Sequence, residues 1–302
     1  MVGRIESAGI GRTEIRSGDT LGVVLEPAGG SDSVAVVLGG SGGGIPEPLA
    51  QRVAENGITA FALGYFGVPG LPSALVEIPL EVPERGIELF RTRFAAGRRV
   101  GLVGVSKGAE LALLLASQLP DAIGPTVAIS PSCVAWYGLD MSDLSAMRRS
   151  SWTRRGAPWP FLPLAEDRMP AFTELGMRTD GCYDLADYNA EQIDAARIPI
   201  ELAQGPILLL AGDDDHMWPS ASMATELVNR HNQKGRPADV TNVVYPDAGH
   251  AFVMREFMPP PGSPGSPPFD FGGSPGADAS AASDTWSRVP SFLRRPERAE
   301  QR

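Results

Sequence analysis

Residues 100–119 read VGLVGVSKGAELALLLASQL. An unbroken apolar run ends at Val105, and Ser106 opens a stretch that is apolar nearly all round. Strands covered on both faces lack polar alternation, and a helix without a polar face has to be buried. The segment therefore predicts a strand inside a parallel sheet that turns sharply into a helix packed on it. The turn itself is Gly104-Val105-Ser106-Lys107-Gly108. Such a turn holds the serine in a strained backbone conformation, and the small flanking residues avoid collisions. In a chain with 35 glycines a bare G-x-S-x-G carries little weight. Its place between strand and helix is what makes Ser106 the expected nucleophile.

Outward from this point, short β-branched apolar runs at 21–25, 34–38, 59–63, 100–103, 126–130, 207–211 and 241–245 alternate with helical patterns. Pro46 opens a helix that stops at Asn56-Gly57, residues 106–119 form the buried helix, and Ser220 begins another that ends near Lys234-Gly235. The rhythm gives an α/β class with a mostly parallel central sheet, helices on both faces and right-handed crossovers. We expect one catalytic domain over residues 1–302. Residues 132–204, carrying Trp136, Trp152, Trp159, Phe161 and Phe172, are too long for a plain loop and read as a cap insertion. Residues 259–277 are Pro/Gly/Ser-rich and read as irregular.

Composition narrows the function. Hydrophobic residues make up 43% and charged residues 21%, as in a globular protein. A formal net charge of -10 speaks against broad nucleic-acid binding, which needs clustered cations. No apolar run approaches membrane-spanning length and the N-terminus has no signal-like stretch, so a cytoplasmic protein without membrane contact is expected. Cys133 and Cys182 are the only cysteines, too few for a disulfide framework or a four-cysteine zinc site. No metal or other cofactor is called for.

A serine hydroxyl needs a base. Only His216, His231 and His250 are available. His231 sits near a helix end, where a protonated ring suits the dipole. His250 follows the strand TNVVY in the loop Pro246-Asp247-Ala248-Gly249-His250, after an acidic cluster, and the chain order serine, acid, histidine suits this class of fold. The strand at 207–211 runs into Gly212-Asp213-Asp214-Asp215-His216. Asp215 is the chosen acid, with Asp213 and Asp214 as alternatives. Gly39-Gly40-Ser41-Gly42-Gly43-Gly44 follows another strand, and its flexible backbone suits an oxyanion hole built from the Ser41 and Lys107 N–H groups. A phosphate loop fails on spacing. Gly42, His216, Trp218 and Trp136 are the expected substrate contacts. Lys107 and Glu110, three apart, suit a buried pair. Arg148, Arg149, Arg154 and Arg155 concentrate positive charge that would attract the phosphates of a CoA-like carrier, unless they form a solvated face.

Together the stretches GGSGGG, NGITAFALGYFG, GLVGVSKGAELALLLAS, IPIELAQGPILLLAGDDDHMW and YPDAGHAF resemble the C-terminal catalytic domain shared by acyl-CoA thioesterases and bile-acid-CoA:amino-acid N-acyltransferases. The resemblance spans most of residues 34–254 and implies an α/β-hydrolase fold with Ser106, Asp215 and His250 as a triad. Longer members carry an N-terminal β-sandwich, which this chain is expected to lack, and the Pro-rich stretch from Pro259 departs from the family. Because the N-acyltransferases use cysteine at the elbow, Ser106 implies hydrolysis. The expected substrate is a small acyl thioester, cleaved without a cofactor. The rival readings are a carboxylester or lactone hydrolase or amidase, an acyltransferase or cyclase, and a non-catalytic receptor.

Overall fold

The computed structural model describes residues 4–7, 9–234, 240–260 and 263–295. Gly235 and positions 261 and 262, which belong to two of the segments expected above, lie outside the described residues. Among the described residues nine strands form one sheet. Their order is Arg4–Ser7, Ile10–Ser17, Thr20–Pro27, Thr59–Gly64, Val34–Leu38, Val100–Val105, Ile123–Ile129, Ile207–Gly212 and Val240–Tyr245. From Thr59–Gly64 onward every pairing is parallel. The first three strands are antiparallel.

All seven expected strands are present within a residue or three at their ends. The sequence reading missed the two N-terminal ones. Ile10–Ser17 (IGRTEIRS) buries little besides Ile10 and Ile15, so its alternation is weak. Its hairpin partner begins at Thr20, paired with Ser17 across Gly18-Asp19, and Gly18 takes φ 60°. A two-residue turn of this kind needs positive φ, which glycine supplies without strain.

Helices α1 (Glu47–Glu55), α2 (Glu81–Phe94), α3 (Lys107–Gln118), α4 (Ala190–Ala196), α5 (Ser220–Gln233) and α6 (Pro275–Leu293) complete the layers. Alternate strand residues face opposite sides. Val36, Leu38 and Leu102 join Phe90 of α2, Leu111 and Leu114 of α3 and Leu227 of α5 in one core. Ala35, Val37, Val103 and Leu208 join Leu49 and Val53 of α1 and Val289 and Phe292 of α6 in the other. Every α3 residue from Lys107 to Ser117 is buried, as its sequence demands. The segment expected to be irregular ends early, because Pro275 starts α6 behind the N-cap Ser274.

Residues 132–204 carry short strands, 3-10 turns and α4. The strand Trp152–Arg154 pairs with Ile78–Pro79 and Ala157–Pro158, and Ala171–Thr173 pairs with Gly176–Arg178. The segment is thus stitched to residues 78–80 by backbone hydrogen bonds, including Ile78 N–H to the Ser151 carbonyl at 2.8 Å.

Candidate active site

Ser106 sits between the strand Val100–Val105 and α3 with φ 58° and ψ -123°. A non-glycine residue there costs on the order of 1–3 kcal/mol and persists only where its surroundings enforce it. Here the Ser106 N–H donates to the Ile129 carbonyl at 2.9 Å, and its own carbonyl accepts from Ala109 and Glu110 N–H at 2.8 and 3.1 Å. The flanking glycines are steric requirements. A Cβ at Gly104 would lie 2.1 Å from the Gly108 carbonyl oxygen, and one at Gly108 would lie 2.3 Å from that of Leu38. Backbone atoms cannot yield as side chains do, so Gly108→Ala should lower unfolding free energy by about 2 kcal/mol or more. A urea titration superimposable on wild type would contradict that contact.

Of the three consecutive aspartates, Asp215 is the one that meets His250. Its Oδ2 and Oδ1 lie 2.8 and 3.0 Å from His250 Nδ1. The carboxylate is itself fixed, since Oδ1 accepts from Met217 and Trp218 N–H at 2.9 and 3.2 Å and Oδ2 from Ser220 Oγ at 2.6 Å. Both side chains are nearly inaccessible, at 2% and 6% exposure, so water competes little for the contact. Asp213 instead accepts from Asp247 N–H, and Asp214 accepts from Gly273 N–H and contacts His216.

Ser106 Oγ makes no hydrogen bond among the described residues, but the backbone ties its strand to the histidine loop. Ile129 holds the Ser106 N–H, and the next residue, Ser130, donates its Oγ to the His250 carbonyl at 2.8 Å. The Ser130 carbonyl accepts from Trp218 Nε1 at 3.2 Å, and the Trp218 ring stands edge-on to the imidazole with centroids 5.5 Å apart. Ser130 is fully buried with φ 49°. Sequence reasoning overlooked it, and the one local sign is a polar residue closing an apolar strand.

The glycine loop lies against Ser106, where a Cβ on Gly40 would come within 3.2 Å of the Ser106 Cβ. Tyr65, fully enclosed, donates its hydroxyl to the Gly39 carbonyl at 2.6 Å, and Gly44 N–H donates to the Phe66 carbonyl at 3.0 Å. Among the described residues neither the Ser41 nor the Lys107 backbone N–H donates to another protein group. Ser41 and Gly42 are at the surface of the loop.

Other expected contacts fall elsewhere. Trp136 has no exposed surface; it packs edge-on against Tyr183 and donates Nε1 to Ser132 Oγ at 2.8 Å, so it belongs to the core and not to a substrate pocket. Trp218, 3% exposed, supports His250 from the side. His216 lies between Asp214 and Asp270, each 3.1 Å away. His231 occupies the last turn of α5, where the sequence placed it, and is 1% exposed. Three of the four arginines face carboxylates, Arg149 toward Glu77 and Asp143, Arg154 toward Glu84 and Arg148 at 3.8 Å from Glu166, while the Arg155 side chain is exposed. The expected Lys107–Glu110 pair is present. Lys107 Nζ is 3.0 Å from Glu110 Oε2 and donates to Ser151 Oγ at 2.8 Å, while Glu110 Oε1 accepts from Trp152 Nε1 at 2.6 Å. Burial pushes the lysine down and the glutamate up, each toward its neutral form.

Asp270 joins the acid loop to the Pro-rich segment. Burial alone would raise its carboxyl, but the Gly272 N–H, Thr173 hydroxyl and His216 outweigh that and hold it below its ordinary value of 3.8. A depressed folded value adds stability above the unfolded pKa, and this is lost as pH falls through the folded one. Asp270→Asn should therefore lower Tm at neutral pH and converge with wild type in acid, once pH has fallen through the folded value. Equal offsets at both pH values would refute the assignment.

Comparison with solved structures defines the class. A dienelactone hydrolase described as putative, from Klebsiella pneumoniae, superposes with a TM-score of 0.55 at 16% identity, covering 98% of this chain and 99% of that one. An esterase of Pyrococcus furiosus gives 0.55 at 15%, covering 95% and 93%. The fold is that of the α/β hydrolases. The chain belongs to the family described as BAAT / Acyl-CoA thioester hydrolase C terminal, which matches residues 78–296. It is 33% identical to acyl-coenzyme A thioesterase 6 of Mus musculus, across 95% of this chain and 65% of that protein. It is 30% identical to acyl-coenzyme A thioesterase 1 of Homo sapiens, across 94% and 65%. An acyl-coenzyme A amino acid N-acyltransferase 2 of Rattus norvegicus is 27% identical, across 95% and 66%. The chain thus spans about 65% of the length of the first two of these relatives. Among the described residues no helix is long and apolar enough to cross a membrane.

Proposed function

We propose that this chain is a serine hydrolase that cleaves small acyl thioesters, with Ser106 as nucleophile, His250 as base and Asp215 as the residue that orients it. The observation that carries the reading is the His250 Nδ1 to Asp215 Oδ2 contact of 2.8 Å, on a loop tied through Ser130 to the residue that holds the Ser106 backbone. An aspartate on Nδ1 sets the tautomer that leaves Nε2 free to accept a proton.

In the proposed cycle the Ser106 Oγ–H proton passes to His250 Nε2 as the oxygen attacks the thioester carbonyl. The resulting oxyanion receives the Ser41 and Lys107 N–H groups and the positive end of α3. The C–S bond then breaks, and the departing sulfur takes the proton from the imidazolium to leave as a thiol. Water, deprotonated by the same nitrogen, adds to the acyl-enzyme, and the C–O bond to Ser106 breaks as the proton returns. The family supports the thioester over the plain ester or amide. The acyl-CoA relatives make CoA one candidate carrier and a carrier protein the other.

A panel of acyl-CoA, p-nitrophenyl ester and amide substrates tests this by relative kcat/KM. We expect the thioesters to lead, with free acid as product even when an amine acceptor is added. Amide formation from the acceptor would show a transferase instead, and a lead for esters or amides would refute the thioester assignment. Asp215→Asn should reduce kcat by about a thousand-fold or more while leaving the fold intact, because the amide favours the wrong tautomer.

A further inference from the structure

We propose that Arg255 and Asp278 are positioning residues that hold the His250 loop from behind, an assignment that rests on His250 acting as the base. Asp278 lies in the first turn of α6 and is 3% exposed. Its Oδ1 accepts from the Gly249 N–H at 2.8 Å, the residue just before the imidazole, and its Oδ2 accepts from Arg255 Nε at 2.9 Å. Arg255 Nη2 then donates to the Gly272 carbonyl at 2.8 Å, and its guanidinium lies 5.5 Å over the Phe271 ring. The Phe271 carbonyl closes the circuit by accepting from the His250 N–H at 2.8 Å, while its ring runs parallel to the imidazole with centroids 6.4 Å apart.

The circuit joins Gly249, Asp278, Arg255, Gly272, Phe271 and His250, and four of its links are hydrogen bonds with a charged partner or a buried backbone group. The helix end adds to it, because a carboxylate in a first turn is favoured by the dipole. The contact is too close for side chains in between: a Cβ on Gly249 would lie 2.5 Å from the Phe271 oxygen, and one on Gly273 would lie 2.4 Å from Asp278 Oδ1.

What lies behind the circuit explains why it is needed. A cavity of about 930 Å³ is lined by Arg255, Asp278, Gly272, Gly273, Phe252 and Trp286, among others, and its lining includes neither Ser106 nor His250. A packed core would hold the loop by contact on all sides. Here the residues behind the loop, Arg255, Gly272, Gly273 and Asp278, themselves border that cavity, so hydrogen bonds through Asp278 and Arg255 take over the positioning. On the opposite side Ser130 Oγ holds the His250 carbonyl. The His250 backbone is gripped between the two, and a shift of about 1 Å in the group it carries costs on the order of a hundred-fold in rate.

Asp278→Ala, Asp278→Asn, Arg255→Ala, Arg255→Lys and the double alanine variant test the proposal, with acyl-CoA hydrolysis and fluorophosphonate labelling of Ser106 as readouts. Each alanine variant should lower kcat by about 10- to 100-fold with KM within about two-fold, and labelling should slow in parallel. Asp278→Asn keeps an acceptor for the Gly249 N–H and should fall between wild type and Asp278→Ala. The double variant should lose little beyond the worse single one, as members of one circuit do. Folded variants with wild-type kcat, a change confined to KM, or strictly additive losses would each overturn the proposal. If the buried Asp278 variants fail to fold, Arg255→Lys, at a side chain 27% exposed, decides the matter. Ser106→Ala is assayed alongside. An active Ser106→Ala removes the hydrolase reading itself, whereas an inactive one beside fully active bracket variants removes only the positioning role.

Discussion

Ser106→Ala is expected to lower kcat on an acyl thioester by about ten thousand-fold or more, and His250→Ala by a comparable factor. The two changes combined should cost little beyond either one, because nucleophile and base act as a unit. Substrate binding should survive, since neither change alters the glycine loop. Intact-protein mass spectrometry gives an independent measure: a fluorophosphonate should add one mass increment to wild type and none to Ser106→Ala. Turnover that persists undiminished in the alanine variant would place the chemistry on another residue. Cys133 offers no substitute nucleophile, because burial pushes its thiol up to about 12.

The other large effect concerns stability. Lys107→Met should lower unfolding free energy by about 3–5 kcal/mol, because Glu110 is left fully enclosed without its cation and must either stay charged in a dry site or take up a proton to fold. The penalty comes from the orphaned carboxylate and not from the loss of one attraction, so Lys107→Met combined with Glu110→Leu should recover much of it. The pair also touches Ser151, Trp152 and Trp136, so the single variant should loosen residues 136–152 first. Hydrogen exchange and a urea titration would show this. A Lys107→Met protein as stable as wild type would mean that Glu110 is neutral in the folded state.

Much of the fold was legible because the strands that matter are buried on both faces. Val34–Leu38, Val100–Val105 and Ile207–Gly212 are continuous apolar runs. The strand Ile10–Ser17 was not, since it alternates charged and apolar residues only loosely. Helix α6 was hidden by the Pro-rich stretch that precedes it, although Ser274-Pro275 is an ordinary helix start. Trp136 misled in another way: an aromatic side chain in an insertion fits a pocket and a core equally well until its neighbours are known.

The sequence by itself pointed to the elbow, because a serine between an apolar strand and an apolar helix, with Gly104 and Gly108 carrying no Cβ to strike nearby backbone, suits that tight turn. It also limited the base to three histidines. Only the tertiary structure decided which aspartate meets His250, since three consecutive carboxylates differ in direction and not in chemistry. It alone placed Ser130, Arg255 and Asp278 around that loop, because hydrogen bonds across 23 to 120 positions, from Arg255 to Asp278 and from Ser130 to His250, leave no local pattern in the chain.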